Sequence, residues 1–181
     1  MNGIIGMVDL LLQDDLGESQ REDLMIVKES SDVLLHLLND LLDVSKIEAD
    51  KLDLELAPFD LHATADKISA LFTPTAIEKG VRIECDFAAG IPALRMGDEM
   101  RVRQILSNLV GNAVKFTHEG HIRISVAETA EPGVLFFSVS DTGIGIPAEK
   151  HQFIFQAFSQ ADGSTSREFG GTGLGLTIAG R

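Results

Sequence analysis

Between residues 20 and 48 a heptad seam runs through Leu24, Val27, Leu34, Leu38 and Leu41, with Ser31 and Ser45 at two of its positions. Leu35, Leu37, Leu42, Val44 and Ile47 widen the seam until its apolar face exceeds what one partner helix can cover. A shorter helix is expected over residues 3–12, joined to the long one by "QDDLGES", which supplies a glycine and capping residues. Two helices cannot bury so broad a face. The pattern therefore predicts that two such hairpins pair into a dimeric four-helix bundle, with packing against the rest of the same chain as the rival arrangement.

The periodicity changes at "KLDLELAPFDL", where heptads give way to alternation and Pro58 disfavours further helix. A boundary is placed near residue 57, dividing a hairpin over 1–57 from a second domain over 58–181. In the latter the pattern predicts a helix over 61–78, strand "VRIECDFA", a helix over 98–117, strand "HIRISVAE", turn "TAEPG" and strand "VLFFSVSD". Two strands flanking a glycine turn imply a hairpin, hence a mixed or antiparallel sheet with helices on one face. The class is α+β, a helical hairpin followed by an α/β sandwich.

A net charge of −13 argues against nucleic acid or an anionic membrane surface as the main partner. Any attraction for polyphosphate must then be local. The single cysteine, Cys85, allows no internal disulfide and fits a reducing, cytoplasmic setting and a place in the core. No run of about 18 apolar residues occurs, since "VLLHLLNDLLDV" is interrupted by His36, Asn39, Asp40 and Asp43. The opening "MNGIIGMVDLL" lacks a basic region and a cleavage site, so neither a signal peptide nor direct membrane contact is expected.

Polar residues inside apolar patterns mark the candidate chemistry. In the helix over 98–117, Val102, Leu106, Leu109, Ala113 and Phe116 form the expected buried face, and Arg101, Asn108, Asn112 and Lys115 form a second stripe. Two amides and an ammonium so spaced suit a hydrated cation and the phosphates it accompanies; a solvated helix face would look the same. In the last strand Leu135, Phe137 and Val139 share a face with Asp141, which leads into "DTGIGI". There Gly143 and Gly145 permit close approach of a flat ligand, Ile146 offers apolar surface, and Asp141 offers an acceptor to a base bearing an exocyclic amine. An Asx turn closing the strand is the plainer alternative.

Phe153, Phe155 and Phe158 precede a polar stretch without apolar period, read as a mobile flap over 147–170. It ends in Gly170, Gly171, Gly173 and Gly175, with Thr172 and Leu174 between them, where backbone N–H groups and a helix start could meet phosphates. Arg167 could reach in from the flap; equally, a glycine-rich turn can be only a loop. Neither G-x-x-x-x-G-K-[ST] nor a strand-borne G-x-G-x-x-G is present, so a nucleotide reading needs another fold.

In this order, "NLVGNAVKFT", "DTGIGI", "IFQAFSQAD" and "GGTGLGL" resemble the N, first-glycine, phenylalanine and second-glycine boxes of bacterial sensor histidine kinases, members of the GHKL ATPase superfamily. The hairpin resembles that family's dimerisation and phosphotransfer domain: "MNGIIGM" is similar to the sequence just after the phosphoacceptor box, and "LLNDLLDVSKIEADKLDLELAPFDL" to the end of its second helix. The resemblance covers almost the whole chain, and "FSQAD" is most like hybrid kinases. It implies a Bergerat-type fold binding ATP with Mg²⁺. Asn112 would be the metal ligand, Lys115 would contact phosphates, and Asn108 would stand where related ATPases place a water-activating acid. Asp141 would bind the adenine amine, Gly143, Gly145 and Ile146 would shape its pocket, and Gly171, Thr172, Gly173, Leu174 and Gly175 with Arg167 would meet the triphosphate.

The resemblance further implies a homodimer that passes phosphate through a histidine to a response regulator or receiver domain. The family's acceptor histidine would lie just before Met1, and its fold usually continues past Arg181, so the chain is expected to bind nucleotide without labelling itself. Among the histidines present, His36 lies in the hairpin but precedes Leu37 rather than an acid, and His62, His118, His121 and His151 are expected to be solvated or locally hydrogen-bonded. The rival functions are a GHKL hydrolase, disfavoured by the amide Asn108, and a non-enzymatic docking module.

Overall fold

Gly17 starts the longer of two N-terminal helices, and its N–H donates to Gln20 Oε1 at 3.1 Å, satisfying one donor at the helix entry. The computed structural model describes residues 1–49, 51–131, 133–156 and 173–180 and divides the chain into two compact units, Met1–Leu52 and Asp53–Arg181. The first unit is a hairpin of α1 (Asn2–Leu11) and α2 (Glu18–Glu48). Arg21 donates to the Leu12 carbonyl just past α1, and Lys28 pairs with Asp9, whose hydrogen bond and charge raise the ammonium pKa. Ser31 and Val44 are buried, yet in a single copy Val27, Leu34, Leu38 and Leu41 remain 43–45% exposed. The broad apolar face is thus largely uncovered within one hairpin.

The second unit runs β1 (Ala57–Asp60), α3 (Leu61–Glu78), β2 (Val81–Phe87), β3 (Leu94–Gly97), α4 (Glu99–Phe116), β4 (Gly120–Glu128), β5 (Leu135–Asp141), a 3₁₀ turn (Ala148–Lys150) and α5 (Gly175–Ala179). Asp60 caps α3 by accepting from Ala63 N at 2.9 Å. Asp98 caps α4 through Arg101 N at 3.0 Å, and its other oxygen accepts from Glu55 N at 3.1 Å. One carboxylate therefore starts a helix and anchors the segment leading into β1.

β2 pairs parallel to β4, and β4 pairs antiparallel to β5, giving a three-stranded mixed sheet in the order β2-β4-β5. Pleat parity puts Val81, Ile122, Ile124 and Val126 on one face; the first three pack with Ile68 and Ala76 of α3 and Leu106, Val110, Ala113 and Val114 of α4, and Val126 packs with Phe59, Leu61 and Ile91. Arg82, Glu84, Asp86 and Arg123 occupy the opposite, exposed face. Both long helices thus cover the same side of the sheet.

Three details differ from the sequence expectation. β1 and β3 form a separate antiparallel pair that the patterning did not reveal, with Phe59 buried beneath it. On α4 the core-facing stripe is rotated toward Val110 and Val114; Leu109 and Phe116 are only half-buried. His62 departs from the expectation at one ring nitrogen: its ring stacks on Phe87 with centroids 4.0 Å apart, and its Nε2 is buried without a hydrogen-bond partner. Stacking and apolar contact have replaced solvation there. Among the described residues no helix is long and apolar enough to cross a membrane.

Asp98 is 8% exposed, and the Arg101 amide holds its carboxyl below the usual carboxylate range, against burial and with help from the Glu55 amide. Asp98→Ala is expected to cost about 2 kcal/mol at pH 7 by removing a cap and a tether. Because folding lowers this pKa, the stabilisation is complete above about pH 4, the unfolded-state value, and is lost as pH falls through the lower native one. Urea midpoints of parent and variant should accordingly stay apart from pH 7 down to about pH 4 and converge only as the pH falls below it.

Candidate functional site

Helix α4 carries the polar stripe on the side away from the core, with Asn108, Asn112 and Lys115 half-buried. Asn108 Nδ2 donates to the Gly175 carbonyl at 3.3 Å, tying α5 to the middle of α4. A Cβ at Gly175 would lie 3.0–3.3 Å from the Asn108 amide, so the close approach favours glycine. Leu174, Thr177 and Ile178 are buried, which fixes the short helix by packing.

Asp141 reaches the other end of α4 by register. Ile122 pairs with Ile83 on one side and with Asp141 on the other, so the carboxylate stands in a row of core-face residues at the strand's exposed end. Its Oδ1 accepts from Gly143 N at 2.8 Å. This is an Asx turn, and the second oxygen of the exposed carboxylate retains acceptor capacity. The loop then docks on α4: Ile144 N donates to the Phe116 carbonyl at 3.3 Å, and a Cβ on Gly143 would collide with that oxygen.

Thr142 sews the same loop to β4. Its Oγ1 accepts from His121 N at 3.1 Å and donates to the Glu119 carbonyl at 3.2 Å, and a side chain on Gly120, at φ +110°, would strike it. Ile144 and Ile146 are 68% and 47% exposed beside the carboxylate. His151 Nε2 lies 3.0 Å from the Ile146 carbonyl, steadying the loop's exit.

The Asp141 loop and Gly175 thus attach to one helix at residues 116 and 108, a separation of roughly 12 Å along its axis. Asn112 lies between them, and Lys115 precedes the Phe116 anchor. The Lys115 Nζ sits 4.8 Å from the Phe116 ring centroid, and burial lowers its pKa from the usual lysine value. Arg101, at the far end of the stripe, donates to Gln104 at 2.7 Å. Gly145 and Gly173 adopt φ +68° and +69°, conformations that favour glycine. Phe153 and Phe155 are exposed, and the Phe155 ring lies against Gly180. Arg167, Gly170, Gly171, Thr172, Phe158 and most of the expected flap lie outside the described residues.

Among the described residues no group of three or more His, Cys, Asp or Glu could hold a metal by itself. Amide oxygen is nevertheless a suitable hard donor, and a Mg²⁺ ion shared with phosphates and water needs few protein ligands. Asn112 therefore fits such an ion. Sequence reasoning missed Thr142 and Gly120, whose partners are 21 or more residues away and follow no local period.

Comparison with known proteins bears on the family and the fold. Residues 1–50 match the His Kinase A (phospho-acceptor) domain, and residues 97–181 match the family described as histidine kinase-, DNA gyrase B-, and HSP90-like ATPase. The chain is 43% identical to the signal transduction histidine-protein kinase BarA of Escherichia coli K12 over 98% of this chain and 20% of BarA. It is 41% identical to hybrid signal transduction histidine kinase K of Dictyostelium discoideum over 98% of this chain and 16% of that protein. The chain thus spans about a fifth or less of these relatives. The crystal structure of full-length ShkA in complex with AMPPNP superposes with a TM-score of 0.80 at 38% identity, covering 98% of this chain and 36% of ShkA. With both domains matched in order and the fold shared throughout, the chain belongs to the sensor histidine kinases.

Proposed function

We propose that residues 53–181 bind ATP with Mg²⁺ along α4, and that the parent protein transfers the γ-phosphoryl group to a histidine for relay to a receiver aspartate. The observation that carries this reading is the attachment of the Asp141 loop and Gly175 to one helix, at Phe116 and Asn108, on either side of Asn112. Asp141 accepts the adenine amine, with Gly143 and Gly145 allowing the base close and Ile146 walling it. Lys115 attracts the phosphates. Asn108 holds Gly175, and Gly173, Leu174 and Gly175 stand toward the triphosphate, a role the resemblance also gives Gly171, Thr172 and Arg167. Mg²⁺, when bound, neutralises phosphate charge, and Asn112 would supply it an amide oxygen. Positioning and charge compensation, rather than a general base on this chain, then carry the phosphoryl transfer.

The ShkA complex with AMPPNP supports the nucleotide class through its shared fold and sequence identity with this chain. Two hairpins pair through the seam that one hairpin leaves exposed, forming a homodimer, and the receiver domain of a response regulator is the onward partner. His36 is not the acceptor in this reading: its Nδ1 contacts the Asp32 carbonyl at 2.8 Å, and the following residue is Leu37.

Calorimetry with Mg·ATP should detect binding by the 181-residue chain, weakened about 10- to 100-fold by Asp141→Ala and abolished by Gly143→Ala in folded protein. Under γ-labelled ATP, histidine should stay unlabelled. No binding by the parent would sink the reading in favour of a docking module, and steady phosphate release would favour the hydrolase. Sedimentation should give a dimer that Leu38→Glu dissociates; a monomeric parent would refute the seam pairing.

Lys115→Met should separate stability from binding. The native state holds this ammonium at a burial cost below its lowered native pKa, and the cost vanishes as pH rises to the ordinary lysine value. The variant should be more stable to urea at pH 7, less so near pH 10.5, and bind Mg·ATP more weakly throughout; equal affinity would exclude a phosphate contact.

A further inference from the structure

An α-helix leaves its last four carbonyls without helical partners. In α4 the carbonyls of residues 113–116 all accept hydrogen bonds, the first in the last helical bond and the other three from outside the helix. The Ala113 carbonyl accepts from Thr117 N at 3.0 Å, and the Phe116 carbonyl accepts from Ile144 N of the Asp141 loop. The two between them, on Val114 and Lys115, accept from one group, Lys79 Nζ, at 2.9 and 3.2 Å. Lys79 is the C-cap of α3, and Gly80 at φ +71° ends that helix where the lysine stem can reach α4. It lies outside every motif of the sequence, 36 residues from Lys115.

We propose that Lys79 is a positioning residue for the nucleotide site. Its ammonium opposes the negative end of α4 and clamps the last turn, so that the Phe116 carbonyl stays where the Asp141–Gly145 loop docks. One of the two clamped peptide groups belongs to Lys115, so the same contact fixes the backbone from which that side chain departs. Val114 is 3% exposed, and its carbonyl would need another donor if the ammonium were lost. The turn would then loosen first where it meets the loop. Lys79 thus acts through α4 without touching nucleotide.

The functional consequence rests on the nucleotide reading above, whereas the positioning itself can be tested without ligand. Amide hydrogen exchange on the whole chain would compare Ile144, whose N–H reports the docking bond, with Ile124 in the central strand, which reports global opening. In Lys79→Met, exchange at Ile144 should quicken about tenfold and at Ile124 less than twofold, with Mg·ATP affinity falling about tenfold. Lys79→Arg should restore both, Lys79→Gln should give intermediate exchange and serves if the methionine variant does not fold, and exposed Lys67→Met should change neither. Equal acceleration at both amides, or unchanged Ile144, would overturn the proposal by reducing Lys79 to general stabilisation or to no role. If the parent fails to bind nucleotide, the nucleotide reading falls and the exchange comparison still decides Lys79.

Discussion

The C-terminal turn of α4 is the constraint on which the second unit depends. It must bury Val114 against the sheet, present Lys115 on the other side, and satisfy carbonyls that no longer belong to a continuing helix. Water is a poor partner for carbonyls on buried residues, so the fold supplies donors from two distant segments, the end of α3 and the loop after β5. Those donors do more than complete a cap. They bring a cation and a carboxylate-bearing loop to the same end of the same helix, and the candidate site is the result.

Strand register completes the arrangement. Along the rows Cys85, Ile124, Val139 and Phe87, Val126, Phe137 the sheet presents apolar side chains to the helices. One row nearer α4's end the sequence Ile83, Ile122 is completed by Asp141, so a carboxylate takes a position that pleat parity assigns to the core face. It escapes burial because the strand stops there and the Asx turn carries the chain away. A shift of one residue would send this carboxylate to the solvent face beside Arg123 and dismantle the site without altering composition.

Much of this was legible because it is periodic. The hairpin, α3, α4 and the β4–β5 ribbon follow from spacings of 3.5, 3.6 and 2, and each lies within about two residues of its expected bounds. β1 and β3 were not legible: at four residues each they hold too few alternations to stand out, and their pairing is decided by partners across the chain. The rotation of the α4 face toward Val110 and Val114 has the same origin, since several apolar residues compete for the core and packing chooses among them. Asn108, Asp141 and the glycines could be named from the sequence because type and spacing are themselves the signal. Thr142 and Lys79 could not, as any threonine or lysine is ordinary until its long-range acceptor is known.

The chain's charge gives a reason for economy in this design. At −13 overall, the chain sets a repulsive background against any triphosphate. A few cations in selected surroundings must suffice. Lys115 is half-buried with its pKa lowered by desolvation, so it holds its charge at a cost that an anionic ligand would relieve. Lys79 spends its charge on peptide carbonyls and hence adds order rather than direct attraction. One ammonium stands on the polar stripe of α4 and another against its last carbonyls, so in the proposed site attraction and orientation fall to different lysines at the same helix end.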